Sequence, residues 1–380
     1  MRTDLLIAGG GLAGGLLALA LHRCRPELAV TLVEAGARIG GNHIWSFFDS
    51  DLDADGRALV APLVCHRWSG YDVAFPAYAR TLGGGYNSIE SERLDAVVRG
   101  SLPPERVLTR RAIAALDPGG ATLADGTRIA AAGVVDARGY AGEAKLEIGW
   151  QKFVGRLLRL DRPHGLVRPM LMDASVDQAD GYRFVYVLPF GPEHLFVEDT
   201  YYTPEPDLDV AAVRARIDAY VAARGWTIAA VEREEAAALP IAMGGDPDPL
   251  WAGPVARVGM AAGLFQPMTG YSLPDAVRTA SLVAGLPDPS SAALHDALTR
   301  SARAAWDERG FYRLLAAMLF RAASAPDTRY RTFEHFYRLP EELIARFYAA
   351  RSTPLDKVRV FFGRPPVPFG RALAVLAGRA

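Results

Sequence analysis

The sequence predicts an α/β fold: a Rossmann-type nucleotide-binding domain, interrupted by an inserted antiparallel β-sheet domain and followed by a helical C-terminal region. Three observations predict it. A glycine-rich turn separates a strand pattern from a helix pattern at the front of the chain. An alternating run rich in β-branched and aromatic residues occupies the middle, from Asp180 to Tyr202. Segments with the character of the front return near Val134 and Pro254, on either side of that run. A length of 380 residues agrees with about two domains.

Asp4–Ala8 reads as a buried strand, Leu16–Arg23 as a helix and Leu28–Val33 as a second strand ending at Glu34. Between the first two lies Gly9-Gly10-Gly11-Leu12-Ala13-Gly14, a Gly-x-Gly-x-x-Gly turn. Gly9 suits the tight turn, Gly11 the close approach of backbone to a pyrophosphate, and Gly14 the packing of helix on strand. Glu34 stands 20 residues past Gly14, where a carboxylate meets ribose hydroxyls in dinucleotide-binding units. Asp180–Phe190 and Leu195–Tyr202, joined through Gly191-Pro192, read as an antiparallel hairpin. Val210–Arg224 is a helix pattern, and another begins at Asp275. From Ser291 onward the chain reads as helices broken near Pro340, Pro354 and Pro365-Pro366.

Two further runs point to FAD rather than a nicotinamide dinucleotide. Ala35-Gly36-Ala37-Arg38-Ile39-Gly40-Gly41 resembles the extended adenine-dinucleotide motif of FAD proteins, and Val134-Val135-Asp136-Ala137-Arg138-Gly139 resembles their returning strand. Ser91–Val98 resembles the helix with which aromatic hydroxylases place an arginine, here Arg93, near the pyrophosphate. The expected cofactor residues are therefore Gly9, Gly11, Gly14, Glu34, Arg38, Arg93, Asp136, Gly259 and Gly270. The expected organisation is a discontinuous FAD-binding domain of residues 1–65, 91–145 and 251–290. A β-sheet substrate domain takes residues 66–90 and 146–250, and a helical, membrane-facing region takes residues 291–380.

Composition narrows the function classes. With 42 Lys and Arg against 43 Asp and Glu, the chain lacks the basic excess of a nucleic-acid binder. Two cysteines, Cys24 and Cys65, make neither a disulfide framework nor a thiolate zinc site. Leu5–Leu21 is 17 residues without a charge, but its five glycines and strand-like start exclude a membrane span. No sequence feature specifies an oligomeric state.

Four separated runs resemble bacterial lycopene β-cyclases, FAD-dependent enzymes of carotenoid biosynthesis related in fold to the aromatic hydroxylases. They are Gly41–Phe47, Asp180–Phe190, Phe196–Thr200 and Thr269–Pro274. Three positions depart from the family's usual pattern, Gln266 and Met268 where it has His-Pro-Thr-Thr-Gly at 266–270, and Phe48 where it has His. The resemblance implies a redox-neutral cyclisation of the linear ends of lycopene to β-ionone rings, by way of a monocyclic carotene. It implies FAD in its reduced form, with NAD(P)H as the reductant. It also places the catalytic acid at Glu198. The residues agree, because Leu195, Phe196, Val197, Tyr201 and Tyr202 surround that carboxyl with groups that desolvate it. Asp199 falls on the opposite face of a regular strand. Trp45, Phe47, Tyr182 and Tyr271 are expected to present aromatic faces to a carbocation. A flavin-dependent monooxygenase or desaturase acting on an apolar isoprenoid is the alternative on the same fold.

The balanced charge hides an asymmetry. Residues 301–380 hold 14 Arg and Lys against 7 Asp and Glu, a net of +7, and 13 of the chain's 36 aromatics. Because lycopene resides in the bilayer, this tail is expected to dock on anionic lipid. Phe311, Phe320, Phe333, Phe336, Phe347, Phe361 and Phe362 would be in contact with the membrane. The expected location is cytoplasmic, on the inner face of the cell membrane.

Overall fold

In the computed structural model, which describes residues 2–140, 142, 145–322 and 326–361, the chain builds two sheets that meet along one cavity. β1 (Arg2–Ala8), α1 (Leu12–Cys24) and β2 (Val30–Val33) form a β-α-β unit, its strands parallel with Leu5 opposite Val30 and Ala8 opposite Val33. Leu5, Leu6, Ile7 and Ala8 are fully buried, which is why this strand reads as an unbroken apolar run rather than an alternating one. The helix starts four residues earlier than the expected Leu16, so the third glycine of the turn lies inside its first turn. Helix propensity alone penalises Gly14 and Gly15 there; close packing against β1 overrides it.

The chain then leaves this sheet through β3 (Ile44–Phe48), α2 (Ala54–Val60), β4 (Val64–Phe75) and β5 (Tyr78–Glu90). It returns with α3 (Ser91–Ser101), which packs on α1 through Leu94 and Val98. β6 (Val107–Leu108), β7 (Ile113–Asp117), β8 (Gly120–Leu123) and β9 (Arg128–Asp136) complete the order β6-β2-β1-β9-β8-β7. β6, β2, β1 and β9 are parallel, and β7, β8 and β9 are joined antiparallel.

The second sheet comes from β10 (Lys145–Leu160), β11 (Met170–Asp173), β12 (Tyr182–Pro189), β13 (His194–Thr203) and, after α4 (Val210–Ala223), β14 (Ile228–Asp246). With the earlier excursion they form eight strands in the order β14-β10-β13-β12-β11-β4-β5-β3. All pairs are antiparallel except β11 with β4. β12 and β13 alternate strictly. Val185, Val187, Leu195, Val197 and Tyr201 face α4 with Ile217 and Val221, while Tyr182, Phe184, Phe196 and Tyr202 face the other way. A sheet with both faces apolar must be covered twice. α4 covers one side; the C-terminal helices cover the other.

Those helices follow β15 (Ala256–Arg257), which adds parallel to β9, and α5 (Leu273–Ala284), which lies against α1. They are α6 (Ser291–Glu308), α7 (Gly310–Ala317), α8 (Tyr330–Phe336), α9 (Glu341–Tyr348) and α10 (Pro354–Phe361). Pro340 precedes α9 directly and Pro354 opens α10, where proline's missing N–H costs nothing. Pro365 and Pro366 lie outside the described residues.

The expected lipid-facing aromatics are corrected by this packing. Phe320, Phe333, Phe336 and Phe347 are buried, Phe333 stacking on Tyr182 with ring centroids 4.4 Å apart. Phe311 packs against the same cluster, Phe361 remains exposed, and Phe362 lies outside the described residues. The apolar face of the second sheet takes these rings before any membrane does.

A buried ion pair joins α5 to this helical layer. Arg309 Nη1 and Nη2 donate to the two carboxylate oxygens of Asp275 at 2.8 and 2.6 Å, and Arg278 adds a third donor at 2.7 Å. Burial pushes the Asp275 carboxyl up, but the two guanidinium groups outweigh it and hold the group below its ordinary value.

Candidate active site

One cavity of about 660 Å³ runs from the N-terminus of α1 to the face of the second sheet. That is a space for an organic molecule, not for an ion, within the roughly 300–1,000 Å³ of ligand sites. Among the described residues no cluster of His, Cys, Asp and Glu has the makings of a metal site.

The first end is built by the glycine turn. Gly9 takes φ of +106°, and a Cβ there would meet the Ala137 carbonyl oxygen at 2.6 Å, so no other residue fits. A Cβ on Gly14 would overlap the Gly9 carbonyl oxygen; this glycine lets α1 lie against β1. Gly11 differs from both. A Cβ there would meet nothing within 4 Å, because the residue faces open cavity at the unpartnered N–H end of α1. That is a cradle for a phosphate. Glu34 lines the same end, its carboxylate accepting from the Gly10 N–H at 2.7 Å and the Gly36 N–H at 2.6 Å. Arg111 and Arg138 bring positive charge to the wall.

The second end is an aromatic chamber with an acid in it. Phe196, Glu198 and Tyr202 on β13 line the cavity, with Phe184 and Tyr186 on β12 beside them. Phe333 and Tyr348 come from the C-terminal helices, Trp45 from β3, and Tyr271 from the loop before α5. Tyr186 stands directly opposite Glu198 in the ladder. Its hydroxyl meets that of Tyr86, which in turn meets that of Tyr271 at 2.8 Å. Burial raises all three phenols, so they remain neutral.

Glu198 lines the cavity. Loss of hydration, the nearby Glu235 carboxylate and, more weakly, Asp199 raise it to about 8, against the opposing hydrogen bond from Thr200. Thr200 Oγ1 donates to Oε1 at 2.7 Å, which leaves Oε2 to carry the proton. Glu198 is therefore a neutral acid at neutral pH. Asp199 points the other way, held by Arg183 at 2.8 and 2.9 Å and by the Tyr201 hydroxyl at 2.7 Å.

Of the residues expected from the sequence, Gly9, Gly11, Glu34, Trp45, Glu198, Gly259, Gly270 and Tyr271 line the cavity. Others are placed elsewhere. Arg38 is exposed and reaches Glu92 at 3.9 Å, and Arg93 Nε donates to the Pro62 carbonyl at 2.7 Å. Asp136 lies behind the wall, gripping Arg138 at 2.8 Å, and Gly14 is under the helix. Phe47 belongs to the core beneath α1. Tyr182 is covered by Phe333, and its buried hydroxyl has no hydrogen-bond partner among the described residues. Arg38, Arg93, Asp136, Phe47 and Tyr182 were singled out from sequence runs, but tertiary packing decided their placement. Tyr86, Tyr186, Phe333 and Tyr348 were not anticipated; only Tyr186, paired with Glu198 across the hairpin, left a readable sign.

A family model described as lycopene cyclase protein matches residues 4–374. The lycopene beta-cyclase of Pantoea ananas is 44% identical over 374 residues, covering 98% of this chain and 97% of that protein. The lycopene beta-cyclase of a Paracoccus species is 46% identical over 387 residues, covering 100% and 98%. Among solved structures, pqsL, a probable FAD-dependent monooxygenase from Pseudomonas aeruginosa, superposes with a TM-score of 0.61 at 20% identity, covering 89% of this chain and all of that one. The p-nitrophenol 4-monooxygenase PnpA from Pseudomonas putida DLL-E4 gives 0.62 at 15% identity, covering 92% and 99%. At such identities these two share the fold.

The raised acid has a consequence for stability. The unfolded chain releases this proton near the ordinary value of 4.5, the folded chain only near about 8. The folded state thus binds the extra proton between those values, and the stability it brings is lost as pH rises toward the upper one. Glu198→Gln removes the titration. Its Tm relative to the parent should climb between about pH 5 and about pH 9. A difference that stays flat in calorimetry across that range would mean that Glu198 is not a buried neutral acid.

Proposed function

The chain belongs to the lycopene cyclase family, and on that premise we propose that it is a lycopene β-cyclase. It closes the linear ends of lycopene to β-ionone rings, through monocyclic γ-carotene to β-carotene, as an isomerase or intramolecular lyase. The observation that carries this reading is a neutral carboxylic acid set in an aromatic chamber that continues into a dinucleotide cradle.

Glu198 Oε2 gives its proton to the terminal double bond of lycopene. The tertiary carbocation so formed is attacked by a neighbouring double bond, and the ring cation then returns a proton to the Glu198 carboxylate, which restores the acid. Charge neither enters nor leaves, so no oxidant or reductant is consumed in the step. Aromatic faces on the wall, among them Tyr186, Phe196, Tyr202 and Trp45, stabilise positive charge at close range. They also keep out water, which would capture the cation as an alcohol. The neutral phenols of Tyr186, Tyr86 and Tyr271 offer polarity without a competing base.

Gly11 and the N–H groups opening α1 suit the pyrophosphate of FAD, and Glu34 its ribose, with Arg138, Gly259 and Gly270 along the rest of its length. Reduced FAD, with NAD(P)H as its reductant, would supply an electron-rich group able to stabilise positive charge.

Peripheral attachment to the cytoplasmic membrane face is part of the same proposal. No helix among the described residues is long and apolar enough to span a bilayer. α10 exposes Leu355, Val358 and Phe361 at helical spacing, with Lys357 and Arg359 between them. Carrying lycopene through water instead would expose apolar surface at ~25 cal/mol per Å².

Three measurements test these statements. Glu198→Gln should keep flavin and fold, yet lose cyclisation of lycopene by roughly 10²-fold or more, the scale of a positioned acid. Near-parental turnover would remove Glu198 from the mechanism. Gly11→Val should fold, since the chain leaves it room, and should purify without flavin; a fully yellow preparation contradicts the cradle. Liposome co-sedimentation should favour anionic over neutral lipid and weaken with salt, because screening removes the part played by arginine and lysine. A protein that stays in the supernatant throughout is not membrane-docked.

A further inference from the structure

Glu198 is not the only carboxyl in its row. The ladder sets Tyr186 on β12, Glu198 on β13, Gly155 on β10 and Glu235 on β14 in register across four neighbouring strands. Residues in one row point to one face, so the two glutamates share the cavity side of the sheet with a glycine between them. A Cβ on Gly155 would overlap the ring of Phe196 and come within 3.3 Å of Glu235 Cγ, so any larger residue here would displace that ring. The ring of Phe196 thus lies over Gly155, between the two acids.

Glu235 has the partners of a carboxylate. Its side chain is 3% exposed, and Oε2 accepts from the Ile44 N–H at 3.2 Å. The same oxygen lies 3.6 Å from His43 Nδ1 and 3.7 Å from Arg233 Nη2. Arg233 is itself shared with Glu90 at 3.8 Å and Glu92 at 2.9 Å, so its charge is divided among three acids. Among the described residues, no cation is in contact with Glu198. From β12 it faces Tyr186, from its own strand Thr200 and Tyr202, from β10 only Gly155, and from β14 Glu235. The guanidinium of Arg183, on β12, lies under the sheet on Asp199.

We propose that Glu235 is a positioning residue for the acid: fixed in the row of Glu198 across Gly155, its charge holds the transferable proton on Glu198, while His43 and Arg233 keep Glu235 itself in place. Two carboxyls facing one dry corner cannot both ionise cheaply, and the one with a guanidinium beside it takes the charge. This rests on Glu198 being the acid of the proposed cyclisation.

The test is Glu235→Gln, which keeps size and the acceptor for Ile44, with Glu235→Ala as a second charge-free variant. The first readout is the infrared carbonyl band of the protonated carboxyl, assigned by its absence in Glu198→Gln. The second is the alkaline limb of the pH–rate profile with lycopene. Removing a like charge makes Glu198 a stronger acid, so both should move to lower pH by roughly one unit, with the plateau on the acid side retained. Glu235→Asp, which keeps the charge, should leave both where they are. An unmoved band, or a loss of rate equal at every pH, overturns the proposal. If either occurs while Glu198→Gln is inactive, only the Glu235 assignment falls. If Glu198→Gln stays active, the acid falls and the proposal with it.

Discussion

A carboxylic acid keeps its proton at neutral pH only where water cannot solvate its anion, and most of this structure serves that condition at Glu198. Burial is the largest influence on the group, ahead of any neighbouring charge. It depends on parts far apart in the chain: the inner face of β12 and β13, the loop carrying Tyr271, and the helices carrying Phe333 and Tyr348. Removing any one of these would open the chamber to solvent. The strict alternation of β13 matters as much, since a slip of one residue would put Asp199 in the chamber and Glu198 on Arg183.

Covering the chamber requires charged groups to be buried elsewhere, and Asp199, Asp275 and Arg233 are each met by a partner. Asp199 is 0% exposed and holds Arg183 in a two-point contact. Asp275 is gripped by Arg309, which ties the first turn of α5 to the layer of helices that closes the cavity. Arg233 joins β14 of the second sheet to Ser91 and Glu92 at the start of α3, beside the first. Pairs of this kind add little net stability over apolar packing, but breaking one strands a buried charge. They hold the two sheets and the tail in one geometry. Positive charge is also kept off Glu198, which a nearby guanidinium would turn into a permanent anion.

Chemistry at the two ends of the cavity draws on different resources. The nucleotide end relies on backbone: the glycine turn, the N–H groups of α1 and the two amides held by Glu34. Its specificity is for a charged, extended ligand. The chamber offers almost no charge, only aromatic faces, neutral hydroxyls and one proton. A reaction through a carbocation needs that combination, because a stronger nucleophile on the wall would end it early.

Local pattern was enough for the β-α-β unit, the glycine turn, the hairpin of β12 and β13, and the alternation that separates Glu198 from Asp199. Those features depend on residues a few positions apart, so strand period, turn chemistry and glycine's lack of a Cβ determine them within the chain itself. The sequence alone also offered a basic, aromatic tail, whose rings it assigned to lipid. Tertiary structure decided otherwise for Phe320, Phe333, Phe336 and Phe347, because the sheet they meet has an apolar second face that no nearby segment covers. It likewise turned Arg38, Arg93, Phe47 and Tyr182 away from the cavity and brought Tyr86, Tyr186 and Tyr348 to it. The row of Glu198, Gly155 and Glu235 exists only once three strands pair, since residues 43 and 80 positions apart become neighbours through hydrogen-bond register alone.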